Sequence, residues 1–271
     1  MLNLDPNIDS SKLGACILLY GDSDSGKTTS FLTLEDPSLH INTQAKDART
    51  TFHQFKHGKK ITCVSPEGFD DLMDSLNRWV EQAKGNTKDE KGKPVIFPFH
   101  SVMLDDLTFS QSSFRFELED DRHGVRQFED EKKTGIRGLT DRFRFEKPDW
   151  RSIGSMMSRI TYLLNQFSKC GIVVVATAIA THDYPKYGGG VKTAPNLEGF
   201  DYTRLLHGYF DFIGYIIQPF SFDKDMNPVL PKVSFHSEDQ SYMARCNCIK
   251  LAQMGPAPLD FTKIMKVVRG E

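Results

Sequence analysis

Short apolar runs alternate with amphipathic stretches along the chain. Residues 15–20 (ACILLY) are uninterruptedly apolar and stop at a glycine, as a strand buried on both faces does. Residues 28–34 then predict a helix, 38–43 (SLHINT) a second strand, 48–56 a helix and 60–64 (KITCV) a third strand. Between 68 and 84, Leu72, Leu76, Trp79, Val80 and Ala83 recur at helical spacing, and the polar stretch 84–94 holds Gly85, Gly92 and Pro94, which mark a loop. Residues 100–106 (HSVMLDD) read as a strand ending in acids. Residues 150–168 carry a helical pattern through Ile153, Met157, Ile160, Leu164 and Phe167. Residues 171–179 (GIVVVATAI) and 210–217 (FDFIGYII) predict two more strands, and 229–236 with 242–251 predict a closing antiparallel pair. Strands alternating with helices predict an α/β fold, with a mostly parallel central sheet, helices on both faces and antiparallel C-terminal strands.

Composition narrows the class. A chain of 271 residues with 39% hydrophobic and 26% charged residues is ample for one sizeable core, read here as a single domain over 1–271. No apolar run reaches membrane-spanning length and the N-terminus lacks the marks of a signal peptide, so a cytoplasmic protein with no membrane association is expected. The formal charge of -2 means that nucleic-acid binding requires a local basic patch. Cys246 and Cys248 are spaced C-x-C with no second Cys/His pair beside them, so a zinc site is not expected. The run 115–149 holds ten acidic and nine basic residues, part of a charged insertion at about 110–149. It reads either as a solvated helical excursion or as a face for a protein or DNA partner.

Chemistry enters at Gly21-Asp22-Ser23-Asp24-Ser25-Gly26-Lys27-Thr28, a match to G-x-x-x-x-G-K-[ST] lying between an apolar strand and a helix. The glycines let the backbone approach phosphate closely, and successive N–H groups then face the phosphate oxygens. Lys27 is expected to reach the β- and γ-phosphates of ATP, Thr28 to offer a hydroxyl to Mg2+, and Thr29 to touch the α-phosphate. The partner acid comes from Val102-Met103-Leu104-Asp105-Asp106, with Asp105 the expected Mg2+ residue and Asp106 either its substitute or the cap of the next helix. These motifs together point to nucleotide binding without separating ATPase, GTPase and kinase.

The later segments resemble the RecA-like P-loop ATPases encoded by phages, a family linked to single-strand annealing and recombination. The resemblance rests on the early phosphate loop, on residues 104–108 (LDDLT), on 171–182 (GIVVVATAIATH), and on 195–199 (PNLEG) preceding 210–215 (FDFIGY). It implies that the phosphate-loop strand and the acid strand flank strand 171–179, whose polar end faces the γ-phosphate with Thr177 or His182 as sensor. It also implies host cytoplasm as the location. Where RecA-like enzymes place a catalytic glutamate after the second strand, this chain has Ile41-Asn42-Thr43-Gln44. Glutamine orients water but accepts no proton, and a general base contributes roughly a hundred- to ten-thousand-fold. Slow hydrolysis is therefore expected unless Glu67 or Asp106 takes the role.

The same resemblance implies a mobile DNA-binding loop at 183–200. Within it, residues 184–194 (YPKYGGGVKTA) offer Tyr184 and Tyr187 for stacking on single-stranded DNA and Lys186 and Lys192 for its phosphates; the alternative is a lid over nucleotide. Arg245 and Lys250 are the basic residues expected to reach a neighbouring subunit's γ-phosphate in a homo-oligomeric ring or filament. Three functions stay open at this point: a DNA recombination or annealing ATPase, a weakly hydrolysing switch acting on a protein partner, and a small-molecule P-loop kinase. A kinase lid should carry arginine, and 184–199 has none, although Arg137, Arg142 and Arg144 lie in the insertion.

Overall fold

The computed structural model describes residues 13–53, 58–119, 147–182, 193–198, 202–225, 228–238 and 241–271. The chain opens with β1 (Ala15–Gly21), α1 (Lys27–Ser30) and a 3-10 turn at Phe31–Thr33, followed by β2 (Ser38–Asn42), α2 (Ala48–His53), β3 (Ile61–Val64) and α3 (Phe69–Ala83). Next come β4 (Ser101–Asp105), α4 (107–119), α5 (Lys147–Lys169), β5 (Val173–His182), β6 (Thr193–Pro195), α6 (Tyr202–Tyr209) and β7 (Phe212–Gln218). The C-terminal part holds β8 (Ser221–Phe222), β9 (Pro228–Val229), β10 (Lys232–Ser234), β11 (Arg245–Cys246), α7 (Ile249–Gln253), β12 (Ala257–Pro258) and α8 (Phe261–Arg269).

The main sheet runs β12-β10-β7-β1-β5-β4-β2-β3. Its six strands from β7 to β3 are parallel, and β10, β11 and β12 add antiparallel pairs at the β7 side. This is the expected α/β architecture, with β5 inserted between the phosphate-loop strand and the acid strand. β1 shows why the sheet must be covered on both faces. Cys16, Leu18 and Tyr20 enter a core made with α3, α5 and α6, while Ala15, Ile17 and Leu19 enter a second core with Phe31, Phe52, Phe261 and Ile264. Each fully buried Leu or Ile stabilises by about 1.5–3 kcal/mol relative to exposure. Loops at the carboxyl ends of the parallel strands thus sit on a rigid base.

Several boundaries differ from the sequence expectation. The helix after β1 is four residues long before it tightens into the 3-10 turn. Strand 171–179 continues to His182 because its last residues pair with β6. Pro231 lies between β9 and β10, and a residue without an N–H interrupts the ladder expected over 229–236. The expected strand 242–251 is a correction: two residues pair with β7, and 249–253 turn into α7. There Leu251 alone is buried and Ile249 is 76% exposed, a pattern that one helical turn against α8 satisfies and an alternating strand does not. Of the charged insertion, 110–119 and 147–149 are helical and 120–146 lie outside the described residues.

Candidate functional site

The carboxyl ends of β1, β4 and β2 surround a cavity of about 410 Å³, lined by residues 23–29, by Asn42 and 44–48, by Thr50 and Thr51, and by Asp105, Asp106, Phe109, Ile179 and Phe220. The loop between β1 and α1 turns through two left-handed residues, Asp24 at φ 59 and Gly26 at φ 92. Gly26 has no room for a side chain, because a Cβ there would lie 2.7 Å from Phe220 Cβ and 3.0 Å from Pro231 Cγ. Gly21 is equally confined, by Ser25 Oγ at 2.9 Å and Ile216 Cβ at 3.0 Å.

Lys27 is buried inside the loop it follows. Its Nζ donates to the carbonyls of Gly21 at 2.9 Å and Asp22 at 2.7 Å, and to Ser25 Oγ at 3.4 Å. Burial pulls its ammonium below the ordinary lysine value, against the pull of Asp106, Asp105, Asp22 and Asp24. The loop therefore concentrates a desolvated cation and turned backbone, which is what a polyphosphate requires.

Asp105, at the end of β4, is the hub. Its Oδ2 accepts from Thr28 Oγ1 at 2.6 Å and lies 3.4 Å from His40 Nε2, and its Oδ1 accepts from Thr177 Oγ1 at 2.6 Å and from Gln44 Nε2 at 2.9 Å. Burial alone would raise this carboxyl; the hydrogen bonds and the His40 ring outweigh that and hold it below the usual value. The Thr28 hydroxyl and the Asp105 carboxylate thus converge as hard oxygen donors, a set that suits Mg2+. Asp106 plays a different part. Its Oδ1 accepts from the N–H of Phe109 at 2.8 Å and caps α4. Burial and the neighbouring Asp105 push its carboxyl up to about 7, against the Phe109 hydrogen bond and the Lys27 charge.

The other expected residues are placed as follows. Asp22, Ser23, Asp24, Ser25 and Thr29 all belong to the loop or its first helical turn. Gln44 is brought into the site by Asn42, whose Nδ2 donates to the Lys46 carbonyl at 2.7 Å and folds the β2–α2 loop back. Thr177 is fully buried beneath Asp105, whereas Ile179 from the same strand lines the cavity. His182 reaches the phosphate loop: its Nε2 lies 2.8 Å from Asp22 Oδ1 and its Nδ1 3.3 Å from Thr193 Oγ1 on β6. Glu67 is not among the cavity residues; it is exposed, and its N–H donates to Asp71 Oδ2 at the start of α3. Arg245 pairs opposite Ile213 at the amino end of β7, the far edge of the sheet from the loop, and its Nε donates to Asn247. Lys250 is exposed on α7 rather than on the strand expected there. Tyr184, Lys186, Tyr187 and Lys192 lie outside the described residues.

Two site residues were missed in the sequence. His40 is fully buried under Asp105 among the rings of Phe31 and Phe52, its one signal being a polar residue inside an apolar strand. Phe220 follows β7, and its N–H donates to the Ser25 carbonyl at 3.1 Å, so a segment 195 positions away backs the loop; nothing local marks it.

Comparison with known proteins adds a family. The model of the AAA domain family matches residues 13–225. Among solved structures, the chain is similar to a KaiC-like protein from the hyperthermophilic archaeon Pyrococcus horikoshii, with 13% identity over 82% of this chain and 78% of that one, at a TM-score of 0.38. No match is found among curated proteins. Among the described residues, no helix is long and apolar enough to cross a membrane.

Proposed function

Since this chain belongs to the AAA domain family, matched over residues 13–225, we propose that it is an ATP-hydrolysing protein that acts on single-stranded DNA in phage recombination or annealing. Nucleotide binding is the part that the family match supports directly. The observation that carries it is the 2.6 Å contact between the Thr28 hydroxyl and the Asp105 carboxylate beside the loop that encloses Lys27. In this reading Lys27 and the loop amides bind the phosphates, Thr28 and Asp105 hold Mg2+, and Gln44 and Thr177 keep the Asp105 carboxylate in one orientation. Bound Mg2+ would neutralise charge developing on the transferred phosphoryl group. Asp106, inside the cavity and poised near neutrality, is the better base than the exposed Glu67.

The DNA half rests on residues 184–194, with Tyr184, Tyr187, Lys186 and Lys192 as the binding groups, and on the continuity of their segment with His182, which touches Asp22. Nucleotide at the loop would reorient that contact. Arg245 and Lys250 would serve a neighbouring copy in a head-to-tail ring or filament. One observation favours a second reading, a slow nucleotide-dependent switch acting on a protein partner: Gln44 binds the metal acid through its amide and offers no carboxylate to water.

ATP turnover measured with and without single-stranded DNA, alongside assembly state, separates the two. Stimulated turnover with filaments or rings supports the first; tight ATP binding without turnover supports the second. DNA binding should weaken as salt rises and vanish in the Lys186→Ala/Lys192→Ala double variant. Unchanged binding in that variant removes the segment from the interface.

A further inference from the structure

The phosphate loop and the acids account for one part of the cavity but leave a second part of its lining unused: Phe220 after β7, and Thr50 and Thr51 on α2. Phe220 is held in place from three sides. Its N–H donates to the Ser25 carbonyl, its Cβ approaches the Gly26 backbone so closely that no side chain fits there, and its ring meets Phe222 edge-on, with centroids 5.3 Å apart at 83°. The segment beyond it is stiffened by the β8–β9 hairpin. An aromatic ring this constrained, partly exposed and lining a polar cavity is a recognition surface rather than core packing. α2 is likewise fixed, since Phe52 packs on Phe31 of the 3-10 turn after α1, with centroids 5.5 Å apart. The cavity, at about 410 Å³, falls within the range of small-molecule sites, roughly 300–1,000 Å³.

We propose that Phe220 is the nucleobase platform of this site, a flat purine stacking on its ring while Thr50 and Thr51 of α2 line the remaining wall. This rests on reading the cavity as a nucleoside triphosphate site. A ring contributes to a base and contributes nothing to a bare polyphosphate, so the two readings come apart by choice of probe. Phe222 supports the platform from its edge and is itself half-exposed. A purine presents more face than a pyrimidine, so ATP and GTP bind more tightly than CTP or UTP.

The test is equilibrium binding of ATP, CTP and inorganic tripolyphosphate to the full chain with magnesium, for the wild type, Phe220→Leu and Phe220→Trp. Leucine keeps an apolar group against Gly26 and removes the π-face, so packing of the loop is preserved. The expected result is a loss of about tenfold or more in ATP affinity for Phe220→Leu, with tripolyphosphate affinity unchanged and ATP affinity kept in Phe220→Trp. Equal ATP affinity in wild type and Phe220→Leu overturns the platform and leaves the phosphate site standing. Parallel loss of ATP and tripolyphosphate also overturns it, because Phe220 then only props the loop. A wild type that binds neither probe overturns the phosphate site and the platform together.

Discussion

Gln44 donates its side-chain amide to Oδ1 of Asp105 at 2.9 Å, on the same oxygen that accepts from the buried Thr177 hydroxyl. A glutamate at position 44 could not make this bond and would set a second negative charge against the first. At this position the chain thus carries a donor that orients the Asp105 carboxylate. A hydrogen bond to a charged group contributes about 1.5–3 kcal/mol. Gln44→Ala is therefore expected to lower ATP turnover by about tenfold. Turnover at a typical enzyme rate, roughly ten per second, in both wild type and Gln44→Ala would leave Gln44 without a part in hydrolysis. In metal-free protein, Gln44→Glu should lower Tm more at pH 8 than at pH 5, because protonation of one carboxyl relieves the repulsion.

Lys27 supplies a buried cation to the cavity, and its ammonium already donates to two loop carbonyls. Lys27→Met keeps the apolar stem and removes the charge. ATP present at about a hundred times its Kd should stabilise the wild type by about 2.7 kcal/mol. That ATP-dependent rise in Tm should disappear in Lys27→Met. A variant that keeps the full rise would show that nucleotide binds elsewhere.

Most of this site could be read from the sequence because its parts are local. The phosphate loop is eight consecutive residues between an apolar run and a helix, and Asp105 ends an apolar strand. Gln44 was reachable only through the resemblance to RecA-like enzymes, which carry a glutamate just after the second strand; the structure brings its amide to Asp105. The convergence of Thr28, Gln44 and Thr177 on one carboxylate was not readable, since it depends on the register of β1, β2, β4 and β5. His40 and Phe220 were hidden for the same reason: their meaning lies in what packs against them. The end of the chain misled because Ile249 and Leu251 are both apolar, yet only Leu251 is buried.

His40 tests whether Asp105 needs its whole set of donors. The ring is fully buried, its Nε2 lies 3.4 Å from Asp105 Oδ2, and its Nδ1 has no hydrogen-bond partner among the described residues. His40→Phe fits the aromatic cluster with Phe31 and Phe52 and removes both the donor and the unsatisfied nitrogen. Removing one partner of a buried charged group costs about 1–3 kcal/mol, a loss limited here by the three other donors to Asp105. Tm should fall modestly while turnover falls several-fold, most at low Mg2+. Equal turnover across the Mg2+ range would make His40 a packing residue only.

Asp106 makes the site sensitive to pH. Its carboxyl is raised from 3.8 to about 7 in the folded chain, chiefly by burial. A carboxyl with a higher value folded than unfolded binds its proton more tightly in the native state. Its contribution to stability is complete below about pH 4 and fades as pH climbs through 7. At about 1.4 kcal/mol per tenfold, the loss across that window is on the order of 4 kcal/mol. Asp106→Asn should still accept the Phe109 hydrogen bond and carries no charge, so it should melt higher than wild type at pH 8. The two should converge near pH 4. Turnover should move the opposite way in the wild type, rising with pH as the carboxylate becomes able to take a proton from water, and Asp106→Asn should lose that rise together with most of its activity. If the variant melts higher at pH 8 yet keeps wild-type turnover and the same pH profile, Asp106 is buried for structural reasons and water is activated by another group.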